Sequence, residues 1–353
     1  MTIAPVACLD QVPTLVEPRI RDLLGRLDPR NRRVAAYHLG YCDADGAPTA
    51  AGGKGIRPAL ALLSARAAGQ PPERGVAAAV AVELAHNFSL LHDDVMDQDT
   101  LRRHRPTAWA VFGPPAAILA GDALMVLAHD ALAGEAHDAL GDEAHDAFAG
   151  VARPGGAEAI RRLDTDVHRL IAGQAADLEF ERRDDVSLDE CLAMSADKTA
   201  ALMSCACALG ALLCGAPAAV TRGLSRFGDH LGMSFQLVDD LLGIWGEPGR
   251  TGKPVGSDLR ARKKSVPIVH ALTSGTAAGE ALRALYASAR ELDEADLVLA
   301  GRLLEESGSR DWAQTAADRH LTRALDELAA LELPAGVHDD LVDLARLVTG
   351  RDH

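Results

Sequence analysis

The sequence predicts an all-α fold. Long segments are dominated by Ala and Leu, with polar residues recurring at three- and four-residue intervals, as on helices that bury one face. Alternation of Val, Ile or Thr with polar residues, which is typical of strands, hardly occurs. Twelve helices are predicted, at 13–28, 57–69, 73–97, 107–132, 157–181, 188–214, 217–244, 264–273, 279–290, 293–306, 310–331 and 336–348.

Glycine- and proline-rich breaks define several of these helices in chain order. DADGAPTAAGGKG (43–55) precedes the second helix, and RRHRP (102–106) separates the third from the fourth. ARPGG (152–156) precedes the fifth, CGAP (214–217) ends the sixth, and EPGRTGKPVG (247–256) ends the seventh. None of these linkers is long enough for a domain boundary. We therefore expect one all-helical domain over residues 1–353, with residues 1–12 flexible.

Composition excludes several classes of protein. Apolar residues make up 48% and charged residues 25%, which is ordinary for a globular chain. Aromatic residues are only 3% and the net charge is −15, which opposes general affinity for nucleic acid or for an anionic membrane. Any phosphate chemistry must then use local cations or a metal ion.

The N-terminus and the cysteines indicate a cytoplasmic protein. No basic start followed by an unbroken apolar run is present, and no run of about 18 apolar residues lacks a charge, so we expect neither secretion nor a membrane span. The six cysteines show no CxxC spacing, and four of them lie in an Ala/Leu-rich stretch. We interpret them as reduced core thiols.

A tandem repeat, AHDALAGE–AHDALGDE–AHDAFAG (128–150), places His129, His137 and His145 at eight-residue intervals. On a helix each histidine would lie about 80° away from the one before, so the three do not share a face. We interpret the repeat as a solvated helix extension or loop rather than a metal site.

The first chemical signal is SLLHDDVMDQDTLRRHRPT (89–107), in which Asp93, Asp94 and Asp97 follow an apolar helix. Asp93 and Asp97 are i, i+4 neighbours, so their carboxylates face one space and repel each other. A hard divalent cation such as Mg²⁺ between them would account for this arrangement. A solvated acidic helix end is the alternative.

A second acidic cluster strengthens the metal hypothesis. In SFQLVDDLLGIWGEPGRTGKPVGSDLRARKKS (234–265), Asp239 and Asp240 close another apolar run, and Lys253, Asp258, Lys263 and Lys264 follow. Two aspartate-tipped helices with cations nearby are typical of a site that holds Mg²⁺ and a diphosphate.

Other cations stand at helix starts. GGKGIRP (52–58) places Lys54 and Arg57 in a glycine-rich loop that enters a helix, where backbone N–H groups favour an anion. Lys198 and Thr199 begin a helix that is otherwise almost uncharged, although a lysine there could simply reach to water.

These motifs resemble those of the trans-polyprenyl diphosphate synthases, the family that includes farnesyl and geranylgeranyl diphosphate synthases. The resemblance covers about residues 50–270, in the order GGKGIRP, HNFSLLHDDVMD, LRRHRPT, LAGDALM, AGQAADLEF, KTAAL, FQLVDD and GKPVGSDLRARKKSVP. It implies an isoprenoid-synthase-type helical bundle around a deep central cavity, usually a homodimer.

The resemblance also implies roles for individual residues. By similarity, Asp93 and Asp97 bind two Mg²⁺ ions and Asp239 a third, so that about three ions hold an allylic diphosphate. The other residues that it assigns to this diphosphate are Arg102, Lys198, Lys253, Gln236 and Asp240, and those that it assigns to isopentenyl diphosphate are Lys54, Arg57, His86 and Arg103. We also expect Asp94 to belong to the catalytic set, and Thr199 and Lys263 to contact substrate.

The implied reaction is prenyl transfer. Metal ions and fixed cations stabilise the leaving diphosphate, so that the allylic C–O bond ionises in an apolar cavity and the isopentenyl double bond attacks the carbocation. A proton then passes to the departing diphosphate, and the chain is five carbons longer.

The second motif departs from the family's DDxxD pattern, because it reads DDLLG, with Gly243 at the last position. We expect weakened rather than abolished binding of the third Mg²⁺ ion. Glu247, eight residues after Asp239, could compensate, or it could merely begin the EPGR turn.

Two other functions fit parts of this pattern. Class I terpene cyclases carry a second motif that ends in Glu, as DDLLGIWGE (239–247) does, but they take no isopentenyl diphosphate. An inactive regulatory subunit of a synthase could also lose one aspartate. Because the residues of the second-substrate site are all present, elongation is the favoured function.

Product length in this family depends on the residues four and five before the first aspartate, here Ser89 and Phe88. Phe88 with an uninterrupted first motif resembles short-chain synthases that stop near C20, and C15 is the nearest alternative. The sequence does not fix the allylic starter or the pathway.

Overall fold

The computed structural model of the chain describes residues 7–49, 53–138, 155–246, 256–288 and 290–350. Helices dominate these ranges, so the predicted all-α fold class is confirmed. The α-helices are Ala7–Leu15, Glu17–Leu24, Pro29–His38, Ile56–Ala67, Val76–Met96, Ala108–Phe112, Pro114–Asp138, Gly156–Phe180, Leu188–Ser195, Ala201–Leu213, Ala218–Trp245, Ser257–Arg260, Val266–Thr273, Ala277–Tyr286, Glu294–Glu306, Ser309–Ala329 and Val337–Thr349. A 3₁₀ helix covers Pro72–Gly75, and a π-helical turn covers Ala196–Ala200.

The N-terminal part differs most from the prediction. Residues 7–12, which we expected to be flexible, belong to the first helix because Cys8 and Val12, one turn apart, are both buried. The helix predicted over 13–28 is divided into two helices at Val16. The helix Pro29–His38 was not predicted, although Asp28 caps it by accepting from the amides of residues 30 and 31 and Pro29 suits its first turn.

A short hairpin replaces the simple connection expected at RRHRP. Strands Leu101–Arg102 and Arg105–Pro106 are antiparallel, with Leu101 paired to Pro106 and Arg102 to Arg105. The two turn residues, Arg103 and His104, have φ values of 50° and 61°. Positive φ at both central residues is the geometry of a type I′ turn, in which Asn-Gly is the usual sequence.

The helix Pro29–His38 supports this hairpin. Tyr37 Oη donates to the carbonyl of Pro106 at 2.7 Å, and the Arg105 guanidinium donates to the carbonyl of Cys42 at 2.8 Å. The second strand of the hairpin, which pairs with the strand of the predicted site residue Arg102, is therefore tied to the segment that precedes the glycine-rich loop.

The residues divide into two compact units. The first comprises Met1–Val167, Ser204–Ser225 and Leu328–Leu344, and the second comprises His168–Met203, Arg226–Glu327 and Ala345–His353. The expectation of a single domain stays a prediction.

The core of the first unit surrounds the helix Val76–Met96, which buries residues on most of its circumference, as a central helix does. Glycine allows backbones to touch in this unit. A Cβ atom on Gly210 would lie 2.2 Å from the carbonyl oxygen of Ala61, so no larger residue fits there without a shift.

The second unit has two apolar clusters. One joins Ile244, Leu259, Ile268 and the helices Ala277–Tyr286 and Glu294–Glu306. The other joins Phe180, Cys191, Leu237, Leu242 and Val266 with further residues. These clusters fix the end of the helix Ala218–Trp245, on which the second acidic motif lies.

Two described segments, Pro114–Ala133 and Leu188–Leu213, are long and apolar enough to cross a membrane by length and composition alone. Of the window tested in each, 44% and 67% are buried inside the protein, and core helices pass the same test. The absence of a membrane span stays a prediction.

The cysteines and the histidine repeat agree with the sequence in part. All six cysteines are reduced thiols and five are buried, as predicted. His129 pairs with Asp164 at 2.6 Å. The side chain of His137, and His145 as a whole, lie outside the described residues, so the interpretation of the repeat is not tested.

Candidate active site

The predicted site residues fall into two groups, one in each unit. The first unit contains Lys54, Arg57, His86, Phe88, Ser89, Asp93, Asp94, Asp97, Arg102 and Arg103, and the second contains Lys198, Thr199, Gln236, Asp239, Asp240 and Lys263. Lys253 and Glu247 lie outside the described residues.

The first acidic motif lies at the end of the helix Val76–Met96. The amide of Asp97 donates to the carbonyl of Asp93 at 2.8 Å, so the two residues occupy successive turns of one helical face. Asp93 is half-buried and Asp97 is exposed. Their side chains therefore leave the same face of the helix end.

Asp94 faces the opposite way and is buried. Its Oδ1 accepts from both Nε and Nη2 of Arg102 at 2.7 Å. Burial raises the pKa of Asp94, and the ion pair with Arg102 opposes this shift. Among the described residues, the buried Oδ2 of Asp94 has no hydrogen-bond partner. Asp94 therefore positions Arg102 through one of its two carboxylate oxygens.

Arg57 and His86 form a second pair in this unit. An Nη1 of Arg57 lies 3.1 Å from Nε2 of His86. Because a guanidinium can only donate, Nε2 must accept, which places the proton of the neutral ring on Nδ1. Burial, together with Arg57, Arg103 and Arg102, holds the pKa of His86 well below its ordinary value of 6.5.

Positive charge exceeds negative charge around this pair. Burial lowers the pKa of Arg57 to about 10; Glu83 opposes the shift and Arg103 adds to it. In the part of the chain that the structure describes, the buried Nε of Arg57 and Nε2 of His38 have no hydrogen-bond partner. Three arginines beside one glutamate and one buried aspartate suit a phosphate-bearing ligand.

Lys54 lies in the loop that leads to this basic group. It is exposed, and Gly55 after it caps the helix Ile56–Ala67 with a φ of 62°. A Cβ atom on Gly55 would also lie 3.1 Å from the side chain of Val12. The glycine-rich loop thus needs Gly55 for its backbone conformation and for close packing.

The second acidic motif lies near the end of the helix Ala218–Trp245. Asp239 is exposed, whereas Asp240 is buried and accepts from the Gln236 amide at 2.7 Å and from the backbone N–H of Val266 at 2.9 Å. Gln236 in turn accepts from the hydroxyl of Thr199 at 2.6 Å. Burial raises the pKa of Asp240 to about 7, although Lys263 opposes the shift.

Lys263 is surrounded by acids. Burial would lower its pKa, but the carboxylates of Asp177, Asp258, Asp240 and Asp239 together raise it above the ordinary value. The ammonium group is therefore charged. Its positive charge allows Asp239 and Asp240 to lie near Asp177 and Asp258, which belong to two other helices.

Lys198 pairs with a residue that the sequence analysis did not identify. Its Nζ lies 2.5 Å from Oδ2 of Asp177, and both side chains are largely buried. Asp177 belongs to the AGQAADLEF motif, so that motif was a signal for a site residue at this position. Lys198 itself lies in the π-helical turn Ala196–Ala200.

The residues expected to limit product length lie one turn before the first motif. The Phe88 ring packs edge-on against His92, with centroids 4.8 Å apart. Ser89 is buried and its hydroxyl donates to the carbonyl of His86. His92 in turn lies against Gly121, where a Cβ atom would be 2.4 Å from Nε2.

The donor atoms of both motifs suit Mg²⁺. Carboxylate oxygens are the ligands that Mg²⁺ prefers, and it usually takes one or two from a protein and completes its shell with waters and phosphates. Over residues 7–49, 53–138, 155–246, 256–288 and 290–350, no group of three or more His, Cys, Asp or Glu side chains could hold a metal by itself. Asp93 and Asp97, on one face of the helix end, fit an ion that is completed by substrate.

Known proteins resemble this chain over nearly its full length. The (2E,6E)-farnesyl diphosphate synthase of Mycobacterium bovis is 44% identical over 355 residues, covering 99% of this chain and 94% of the relative. The geranylgeranyl diphosphate synthase of Mycobacterium tuberculosis is 44% identical over 322 residues, covering 90% of this chain and 86% of the relative.

A solved structure, that of a polyprenyl synthetase from Streptomyces coelicolor, matches with a TM-score of 0.87 and 46% identity over 97% of this chain and 98% of the other. The family model described as polyprenyl synthetase matches residues 46–300, which include both acidic motifs and the glycine-rich loop. The chain belongs to the polyprenyl synthetase family.

Proposed function

We propose that this chain is a Mg²⁺-dependent prenyltransferase that condenses isopentenyl diphosphate with an allylic diphosphate to give a short-chain (E)-polyprenyl diphosphate. The observation that carries the proposal is the basic group of the first unit. Arg57, His86, Arg102 and Arg103 lie together beside the acidic helix end at Asp93 and Asp97.

The basic group supports chain elongation rather than cyclisation. A cyclase needs one diphosphate site, whereas elongation needs a second site for the diphosphate of isopentenyl diphosphate. The neutral His86 and the charged Arg57 can together offer N–H donors to such a group. Lys54, in the glycine-rich loop, would add a further positive charge.

The acidic residues would hold the metal. Asp93 and Asp97 would bind two ions and Asp239 a third, and bound Mg²⁺ would neutralise the allylic diphosphate as it leaves. Asp94 orients Arg102, whose guanidinium would contact that diphosphate.

The second unit supplies further contacts to the allylic diphosphate. Lys198 and Lys253 would bind it directly, and Lys263 would balance the carboxylates around it. Thr199 and Gln236 hold Asp240 through a chain of hydrogen bonds, so that Asp239 stays in place at the helix end.

The reaction then needs no protein nucleophile. The allylic C–O bond ionises, the isopentenyl double bond forms the new C–C bond, and a proton leaves to the departing diphosphate. A pKa of His86 far below 6.5 keeps this residue neutral, so it would bind diphosphate and not act as an acid.

Relatives named for C15 and for C20 products have the same identity to this chain. We infer a C20 product with C15 as the alternative, because Phe88 rather than a smaller residue lies before the first motif. We also infer a homodimer in the cytoplasm, as the family resemblance implies.

The test is product analysis. Purified protein is incubated with Mg²⁺, isopentenyl diphosphate and each of the C5, C10 and C15 allylic diphosphates, and the dephosphorylated alcohols are sized. Longer alcohols support the proposal. Cyclic hydrocarbons made without isopentenyl diphosphate would establish a cyclase, and no release of diphosphate at all would favour a regulatory subunit.

A further inference from the structure

The second unit has a surface cleft beside the segment that follows the helix Ser257–Arg260. Its volume is about 350 Å³, which is within the range of small-molecule sites. The cleft is lined by residues of the segment 184–187, of the helices Val266–Thr273 and Ala277–Tyr286, and by Lys264. Among the described residues that line it, none was assigned to metal or to diphosphate.

Three of the side chains that line the cleft are apolar. Val186 and Val269 are buried members of the apolar cluster that includes Leu237. Leu272 is half-buried and packs against the other apolar cluster of this unit. Because packing holds these three side chains in place, the cleft offers a ligand an apolar surface that is already formed.

A lysine ammonium group lies in the cleft without a close acceptor. The side chain of Lys264 is only 10% exposed, although lysine is almost never buried unless it is paired. Its ion pair with Oδ1 of Asp184 is 4.0 Å long, which is too long for a hydrogen bond. The Asp184 side chain is fully exposed, so water competes for this pair. The Tyr286 ring, whose centre is 5.8 Å from Nζ, is at the limit of a cation–π contact.

Lys264 and the preceding Lys263 have different surroundings. Lys263 lies among the carboxylates of the second acidic motif, whereas Lys264 lines the cleft. The Cys191 thiol donates to the carbonyl of Lys264 at 3.2 Å, and the amide of Val266 donates to Asp240 at 2.9 Å. These two bonds fix the backbone of the segment, so the ammonium group of Lys264 is held at the cleft.

Arg283 supplies a second cation to the cleft. Its guanidinium donates to the carbonyl of Leu272, which holds it against the helix Val266–Thr273. Asp185, the second acid of the cleft, pairs with Arg183 at 2.9 Å. Two cations and the exposed Asp184 then leave a positive charge here, in a chain whose net charge is −15. Cations beside apolar side chains suit an anion that has an apolar body.

We propose that this cleft binds a small amphipathic anion, with a phosphate monoester at Lys264 and Arg283 and a short apolar chain against Val186, Val269 and Leu272. The inference goes beyond the proposed function, because it adds a site that takes no part in prenyl transfer. A phosphate monoester carries a charge of about −1.5 to −2, so it can satisfy both cations. At about 30 Å³ for each water-sized group, the volume suits a ligand of roughly the size of hexyl phosphate.

The test measures binding of hexyl phosphate by calorimetry. EDTA is present, so that no Mg²⁺ recruits the phosphate to the acidic motifs. Wild type should bind hexyl phosphate at least about tenfold more tightly than inorganic phosphate or 1-hexanol, because each of these lacks one half of the ligand. Hexanoate, which carries a single charge, should also bind more weakly.

Two variants locate the binding. Lys264→Gln removes one cation, and Thr273→Phe fills the cleft at an exposed lining residue without a change of charge. Each should weaken binding of hexyl phosphate at least about tenfold. Arg260→Gln is the matched control, because it also removes one positive charge, from an exposed arginine that pairs with Glu294. It should bind within about twofold of wild type.

Each result decides for or against the cleft. The inference is overturned if wild type binds hexyl phosphate no more tightly than inorganic phosphate or hexanoate. It is also overturned if Lys264→Gln and Thr273→Phe bind as wild type does, since the ligand would then lie elsewhere. Unfolding temperatures without ligand identify a variant that fails to fold, and the other variant then decides. Product formation by wild type is assayed separately, and its absence would overturn the proposed function without affecting this result.

Discussion

Gly173 touches the backbone of Lys198. A Cβ atom built on Gly173 would lie 2.3 Å from the Lys198 nitrogen and 2.7 Å from its Cα. The helix Gly156–Phe180 thus approaches the π-helical turn Ala196–Ala200 at backbone distance. One turn after Gly173, Asp177 meets the Lys198 ammonium at 2.5 Å. The contact at Gly173 and the ion pair with Asp177 together fix the position of Lys198.

Gly173→Ala is expected to destabilise the protein by about 1–3 kcal/mol, because backbone atoms cannot rotate away as a side chain can. It should also reduce kcat, since Lys198 moves. Urea unfolding measures the first effect. Gly301→Ala is the control: it lies mid-helix with no atom within 4 Å of its Cβ position, so it should gain about 0.5–1 kcal/mol. A Gly173→Ala protein as stable as wild type would contradict the packing argument.

Arg102→Lys is expected to lower kcat/KM about tenfold or more, because one ammonium group cannot replace the Nε and Nη2 donors that meet Asp94 Oδ1. Steady-state kinetics with a saturating second substrate measures the change. Arg26→Lys provides the comparison, since Arg26 forms a half-exposed pair with Asp130 at 3.6 Å and should be nearly neutral. If both variants have the same kcat/KM, Arg102 does not contribute to the active site.

His86 predicts a loss of stability in acid. Its pKa in the folded protein is far below 6.5, so as pH falls through 6.5 the unfolded chain takes up a proton that the native protein does not. Stability must then fall with decreasing pH, by up to about 1.4 kcal/mol per pH unit for this one group. The stability it contributes is fully present above pH 6.5.

His86→Gln keeps an acceptor for Arg57 and cannot titrate, so the slope should become shallower by up to that amount. Urea unfolding between about pH 6.5 and 4.5 measures the slope. The same substitution at the half-buried His338 is the comparison. An unchanged slope in His86→Gln would show that His86 takes up its proton over the same pH range in the folded protein as in the unfolded chain.

Phe88→Ala is expected to lengthen the product by at least one C5 unit, because it removes a ring that packs against His92 one turn before the first motif. Sizing of the alcohols gives the answer. Phe112→Ala removes a ring that packs on Tyr37 instead, with centroids 5.2 Å apart, and should leave product length unchanged. If Phe88→Ala also leaves it unchanged, the limit lies at another residue.

The periodicity of apolar residues in the sequence was sufficient to predict most of the helices. The helix Val76–Met96 agrees with the predicted 73–97, and Glu294–Glu306 with 293–306, because long apolar stripes and clear breaks define them. It failed for Pro29–His38, whose sequence PRNRRVAAYH has only a narrow apolar face. There the cap at Asp28 and the packing of Val34 and Tyr37 decide the structure.

The candidate site was predictable where spacing alone fixes geometry. Asp93 and Asp97 follow from the helical repeat. The relation between Gly243 and Asp258 does not, because it joins residues 15 positions apart across two helices. Sequence spacing registers the missing aspartate but not the Asp258 carboxylate, which lies next to Gly243.

The turn at Arg103 and His104 has a consequence for how this chain could be made more robust. Arg103 in particular does not suit positive φ, and such a conformation costs on the order of 1–3 kcal/mol. Asn-Gly would relax the hairpin but would also remove Arg103 from the basic group of the first unit. Substitutions that raise the melting temperature at this turn should therefore lower turnover. Selection for heat resistance alone would then favour variants with lower activity.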